Sequence, residues 1–392
     1  MLRSMYSGIS GLKNMQTKLD VIGNNVANVN TYGFKKGRVT FSDTMNQTIS
    51  GASAATANKG GTNAKQVGLG STVATIDTIH TQSSLQTTGR DLDLAISGDG
   101  YFVVKNGDAE FYTRAGNFYL DDEGTLVNGE GLKVQAYKIV NDKVTNTYGD
   151  VAVNVNAVLP AKKTDTITFS ENLSSDSTVD SVYTQQIKVT GADGTAQAVT
   201  VEFKKTGANT WELSLNDQNI GTLDFSSTPA DIKVNMGANG DFVANTNGSI
   251  VLNFSNLTQN PGTSTALVNP NGSTEGKLDS FNISSAGEIN GVYSNGQIVT
   301  LGQLAVAKFS NASGLMKTGG TTFQESINSG TPNINVAGNG RGSIAAGSLE
   351  MSNVDLSEEF TEMIVAQRGF QSNTRIITTS DEILQELVNL KR

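Results

Sequence analysis

The sequence predicts a mainly β protein with an α-helix at each end, the β part nested between the two helices. Three observations predict it. Apolar residues recur at heptad-like spacing near the two ends. The middle alternates short apolar runs with turns built on Gly and Asn, residues that tolerate the positive φ of tight hairpins. Between the first helical pattern and the first strands, residues 42 to 70 are dominated by Ser, Thr, Ala, Asn and Gly and keep no period.

In the first helix Met5, Leu12, Met15, Leu19, Ile22 and Val26 recur at steps of three, four or seven. Gly8 and Gly11 interrupt the stripe. Each weakens an isolated helix by about 1 kcal/mol but lets a neighbour approach closely. The helix should end near Asn28, because Asn30-Thr31-Tyr32-Gly33 reads as a turn with Gly33 in a left-handed conformation. An extended connector is expected over residues 31–70.

The strands follow. Tyr101 to Val104 is an apolar run, Asn106-Gly107 is a strong hairpin signal, and Phe111-Tyr112 begins the return strand. Asp121-Asp122-Glu123-Gly124 and Asn128-Gly129 mark two further turns. A second set runs from Gln186 to Val189, turns at Asp193-Gly194, returns over Val199 to Phe203, and turns again at Gly207-Ala208-Asn209 before Trp211. Such regular spacing predicts a sandwich or barrel. Nesting then gives a terminal helical domain over 1–30 and 355–392 and an inner β-domain over 71–149 and 276–354. Residues 150–275 form an inserted outer β-domain.

The second helix should start at Leu356, with Asp355 as its N-cap and Glu358 three residues on, a capping-box arrangement. Leu356, Phe360, Met363, Phe370, Ile377 and Leu384 repeat at heptad spacing, and Ile364, Ile383, Leu387 and Leu390 widen the stripe. An amphipathic helix commonly packs on its own domain. Two terminal stripes on a β-rich chain favour self-association instead. The stripe residues of both helices are therefore the candidate interface, and the helices should order only once neighbours cover them.

Composition narrows the function. The chain has 392 residues and a net charge of −9 without a basic cluster, which repels a phosphate backbone. Without cysteine there is no disulfide framework, thiolate metal site or thiol nucleophile. His80 is the single histidine, and Thr78, Thr81 and Gln82 give it no catalytic or metal-binding company. It reads as a surface or β-edge residue. Asp91, Asp93, Asp99 and the acids at 121 to 123 read as turn residues, not as a calcium loop or a pair of catalytic carboxylates. No catalytic, cofactor or metal site is expected. The N-terminus lacks the apolar core of a secretory signal, and nothing has the length and apolarity of a membrane span.

The run Asn24-Asn25-Val26-Ala27-Asn28-Val29-Asn30-Thr31-Tyr32-Gly33-Phe34-Lys35 resembles the N-terminal signature of the flagellar rod and hook proteins. Leu92 to Phe102 resembles the start of that family's inner β-domain, and Tyr112 to Phe118 its characteristic hairpin. Glu359 to Asn373 resembles its C-terminal helix. The resemblance makes Asn24, Asn25, Asn28, Asn30, Gly33 and Phe34 the family's connector turn. It implies an external tube with the terminal helices inside and β-domains outside, built from copies of one chain. It further implies export through the flagellum's own type III apparatus, and contacts with the distal rod protein, the hook cap and the hook–filament junction proteins. The size of the 150–275 insert favours a hook subunit, a torque-transmitting universal joint, over a distal-rod subunit. Outside the family the alternatives are a secreted β-rich adhesin and a glycan-processing enzyme.

Overall fold

The computed structural model describes residues 2–55, 59–140, 143–154, 156–236, 242–244, 249–338 and 340–390. Two helices bracket the chain: α1, Leu2–Ala27, and α2, Leu356–Asn389. Among the described residues all other regular structure is strand apart from one short 3₁₀ turn at Ala312–Gly314. The mainly β class with terminal helices is the one the sequence predicts. Asp355 caps α2 by accepting the amides of Ser357 at 2.8 Å and Glu358 at 3.4 Å. The capping box is only half made, because the Glu358 carboxylate turns to Lys36 Nζ at 2.7 Å.

Where the sequence shows no period, the chain forms a ribbon. β1 (Gly37–Asp43) pairs antiparallel with β4 (Ser71–Thr78), with a register shift between Thr40 and Phe41. Beyond it β2 (Asn46–Ser50) pairs with β3 (Lys65–Gly68). The root of the ribbon is tied to α1, since Asn14 Nδ2 donates to Ser71 Oγ at 2.8 Å. The extended connector is thus paired throughout these strands. Thr- and Ser-rich strands lack the large apolar alternation that would reveal them, and cross-strand contacts such as Thr40 Oγ1 to Thr75 Oγ1 (2.6 Å) take its place.

The chain divides into two compact units. The first comprises Met1–Val153, Asn282–Ile289 and Thr300–Arg392, the second Asn154–Phe281 and Asn290–Val299. In the first, Tyr101–Asn106 pairs with Ala109–Thr113 through the Asn106-Gly107 turn, Gly107 taking φ +59°. The same strand pairs on its other side with Lys133–Val140 and with Val306 and Ala307. Tyr101, Tyr112, Phe309 and Phe323 meet edge to face on one side of this sheet. Phe102 and Phe118 do so at 5.2 Å.

The second unit is a sandwich. One sheet orders Phe242–Ala244, Ile232–Met236, Ile250–Asn260, Thr166–Ser174 and Leu267–Pro270. The other orders Val182–Thr190, Ala196–Lys205, Thr210–Leu215 and Gln218–Asp224. Strand alternation builds the shared core: Val199, Val201 and Phe203 point in while their neighbours do not. Trp211, Phe169 and Phe254 complete it.

Candidate assembly site

α1 and α2 lie antiparallel, and glycines set their approach. A Cβ on Gly8 would stand 3.5 Å from Ile377 Cγ1, on Gly11 2.7 Å from Asn373 Nδ2, and on Gly369 3.2 Å from Met15 Sδ. Toward the ribbon the contact becomes polar. Lys18 pairs with Glu362 at 2.9 Å. Asn25 clamps the Gly37 backbone, donating to its carbonyl and accepting from its amide, both at 2.9 Å. The second N–H of the same amide group reaches Glu359 Oε2 at 3.1 Å.

The pair has almost no apolar core of its own. Among the described residues of the two helices, Ile22 and Ala366 are the apolar side chains that are buried. Met5, Leu12, Met15, Leu19, Val26, Met363, Ile377 and Leu384 are half-buried. Leu356, Phe360, Ile364 and Phe370 are exposed, Phe360 at 49% and Ile364 at 58%. Tyr6, Ile9, Val365, Ile376 and Val388 are exposed as well and were not singled out in the heptad reading. A second heptad phase through Ile376, Ile383 and Leu390 is the signal for that further face.

The connector turn is held by its own amides. Asn28 Nδ2 donates to Asn24 O at 2.9 Å and Asn24 Oδ1 at 2.8 Å, and Thr31 Oγ1 donates to Asn28 Oδ1. Asn30 is exposed. Gly33 has φ +69°, and its amide donates to Glu350 O at 2.8 Å. A Cβ there would meet Ala115 N at 2.4 Å, so the turn presses on the backbone of the Tyr112 to Phe118 segment. Phe34 lies under the Lys317 ammonium, 4.7 Å from the ring centre.

Beneath this turn is a buried ion cluster absent from the sequence reading. Lys35 Nζ meets Glu350 Oε1 at 2.6 Å and Thr81 O at 2.7 Å. Arg114 Nη1 meets Glu350 Oε2 at 3.2 Å, and Nη2 donates to Gly98 O at 2.9 Å. Ser83 N donates to Glu350 Oε1 at 3.1 Å. Burial lowers the Lys35 pKa, and the Glu350 charge opposes that shift. The three charges come from the N-terminal signature, the hairpin motif and the segment before α2. Lys35 and Arg114 were legible only as letters of those motifs, and Glu350 carried no signal.

His80 is half-buried and partnered, not a free surface residue. Its Nδ1 is 2.7 Å from Tyr101 Oη, its ring lies 5.2 Å from Phe323, and it faces the charges of Lys35, Lys317 and Arg114. Burial first, and those cations second, hold its pKa down at about 4. The acids have structural partners. Asp93 takes Arg90 at 3.0 Å and Thr88 at 2.7 Å, Asp99 takes Lys308 at 3.6 Å, and Asp121 accepts the amides of Glu123 and Thr125.

Three family matches cover the regions that build this site. Residues 5–35 match the family described as flagella basal body rod protein, and residues 95–181 match the flagellar hook protein FlgE/F/G D1 domain. Residues 345–390 match the flagellar basal body rod FlgEFG protein C-terminal family. Among curated relatives, the flagellar hook protein FlgE of Borreliella burgdorferi is 40% identical, with both chains covered over their full length. The flagellar basal-body rod protein FlgG of Bacillus subtilis is 42% identical, again over all of both chains. The hook protein FlgE of Escherichia coli is 36% identical over 98% of each. The crystal structure of Helicobacter pylori flagellar hook protein FlgE2 shares the fold with a TM-score of 0.51 at 14% identity, covering 68% of this chain and all of that one.

Proposed function

The chain belongs to the family of flagellar hook and basal-body rod proteins, and from that premise we propose that it polymerises as the structural subunit of the flagellar hook. One observation carries the assembly mechanism. Among its described side chains, a pair of helices with 26 and 34 residues buries two apolar ones and leaves larger ones open on more than one face. Such a pair lacks the core to be stable by itself and gains one when neighbouring copies cover Phe360, Ile364 and Ile376. The subunit works by binding copies of itself and by passing torque along that contact. The same reading gives it the distal rod, cap and junction proteins as neighbours and the type III apparatus as its route out of the cell.

The rod reading has a specific observation in its favour. The Bacillus subtilis rod protein matches from end to end, so the size of the insert alone does not separate hook from rod. Hook is preferred because relatives named hook protein from Borreliella burgdorferi, Treponema pallidum and Escherichia coli span 98% or more of this chain. Electron microscopy of the purified chain under polymerising conditions tests both readings. Short curved tubes support the hook, straight rigid ones the rod, and a chain that stays monomeric overturns assembly.

A further inference from the structure

The apolar stripe of α2 does not define its own alignment. Leu356, Met363, Phe370, Ile377 and Leu384 are spaced by seven residues throughout. A slide of α2 by one heptad against α1 therefore exchanges apolar for apolar at every step. The α1 face grips weakly where Gly8, Gly11 and the flexible Met15 lie against α2. The length of the helices does not prevent the slide either, although Asn353 just ahead of α2 resists it, accepting from Lys36 N at 2.7 Å and donating to Ile79 O at 2.8 Å. With Gly8 beside Ile377 and Met15 beside Gly369, α1 is matched near its start by about residue 382, and α2 continues to Asn389.

The polar end behaves differently. A one-heptad slide would bring Ala366 where Glu359 stands, Gly369 where Glu362 stands and Val365 where Glu358 stands. All three ties to α1 and the ribbon root would be lost together: Asn25 to Glu359, Lys18 to Glu362 and Lys36 to Glu358. The central tie is the buried one, with Asn25 at 2% and Glu359 at 5% exposure. A buried polar contact that only one alignment satisfies selects that alignment. Because Asn25 also clamps Gly37, the same contact fixes where the ribbon leaves the helix.

We propose that the Asn25–Glu359 hydrogen bond is a register lock, a positioning contact that, together with the Asn353 ties ahead of α2, selects one alignment of α1 and α2 and holds the ribbon to it. The proposal rests on the assembly reading above. The absence of native cysteine allows a direct test by disulfide trapping in assembled tubes. Gly8→Cys with Ile377→Cys reports the observed alignment, and Gly8→Cys with Leu384→Cys reports the alignment one heptad on. In the otherwise native chain the first pair should cross-link and the second should not. Glu359→Ala should lower the 8–377 product several-fold and raise the 8–384 product. Glu359→Gln, whose amide oxygen still accepts from Asn25, should restore the native pattern. If Glu359→Ala keeps the 8–377 product at its native yield, the lock is refuted. It is equally refuted if that product falls without any 8–384 product, since Glu359 would then support pairing and not its alignment. If the otherwise native chain makes no tubes, the assembly reading fails instead; if its soluble helices are then protected from amide exchange, the same two cysteine pairs judge the lock in the soluble chain.

Discussion

Lys35 and Glu350 are 315 residues apart in sequence, and their charged atoms are 2.6 Å apart with neither side chain open to solvent. Arg114 joins them from a third part of the chain. The contact ties the turn after α1 to the segment before α2 and to the β-hairpin between them, so the terminal helices are rooted in the first unit.

Glu350→Gln tests that root. The substitution leaves two cations buried without their carboxylate and should destabilise the first unit by roughly 3–5 kcal/mol. Trp211, the one tryptophan, lies in the core of the second unit. Its fluorescence transition in urea should hold its midpoint while amide protection at Val103 and Val104 falls.

Gly33→Val should act on the same junction through the backbone. The left-handed conformation costs a side chain roughly 1–2 kcal/mol, and the overlap with Ala115 N adds to it. The variant should reach the culture medium but form few tubes, as judged by immunoblot and negative-stain microscopy. Tubes in native number would show that the turn tolerates a side chain.

His80 should make the first unit acid-sensitive. Its folded pKa of about 4 lies below the ordinary 6.5, so the unfolded chain binds the proton more readily. The stability of the neutral ring is complete above about pH 6.5 and drains away as pH falls toward 4, by at most about 3 kcal/mol. Denaturant unfolding of the native chain and His80→Gln across that window isolates the term. The native chain should lose more stability than the variant, and parallel curves would exclude His80 as the cause.

The helix pair should order with assembly. In the soluble monomer, amides of residues 2–28 and 356–390 should exchange almost freely while those around Phe102 and Trp211 stay protected. In tubes both helices should become protected. Strong protection in a dilute monomer would mean that Ile22 and Ala366, with the polar ties, suffice to fold the pair.

Local chemistry explains what the sequence revealed. Asp355 marks the start of α2 because a cap is a contact within one turn, and Asn106-Gly107 marks a hairpin because two residues determine its backbone. The alternation of Val199, Val201 and Phe203 likewise reports a half-buried strand. Hidden features depend on distance or on weak patterning. Glu350 is one acid among 37 acidic residues until the fold brings Lys35 and Arg114 to it. The ribbon strands mix Thr, Ser, Asn and Gln with scattered single apolar residues such as Val39, Ile49 and Val67, so no sustained hydrophobic period announces them. His80 was misread because its partners, Tyr101 and Phe323, come from distant strands. At the assembly site, the stripe through Phe360 and Met363 was visible, but the fold was needed to show which residues α1 already covers.

The antiparallel helix pair also imposes an order in time. Asn25 meets Glu359 across 334 residues, and Gly8 lies beside Ile377, so almost every other residue must exist before either contact can close. A chain cut short between the end of the second unit and Glu350 can still form much of the hairpin and sandwich. It has no α2, no counter-charge for Lys35 and no second side to its helix pair. If the helix pair is the assembly contact, fragments should fail to join a lattice without a separate inspection step.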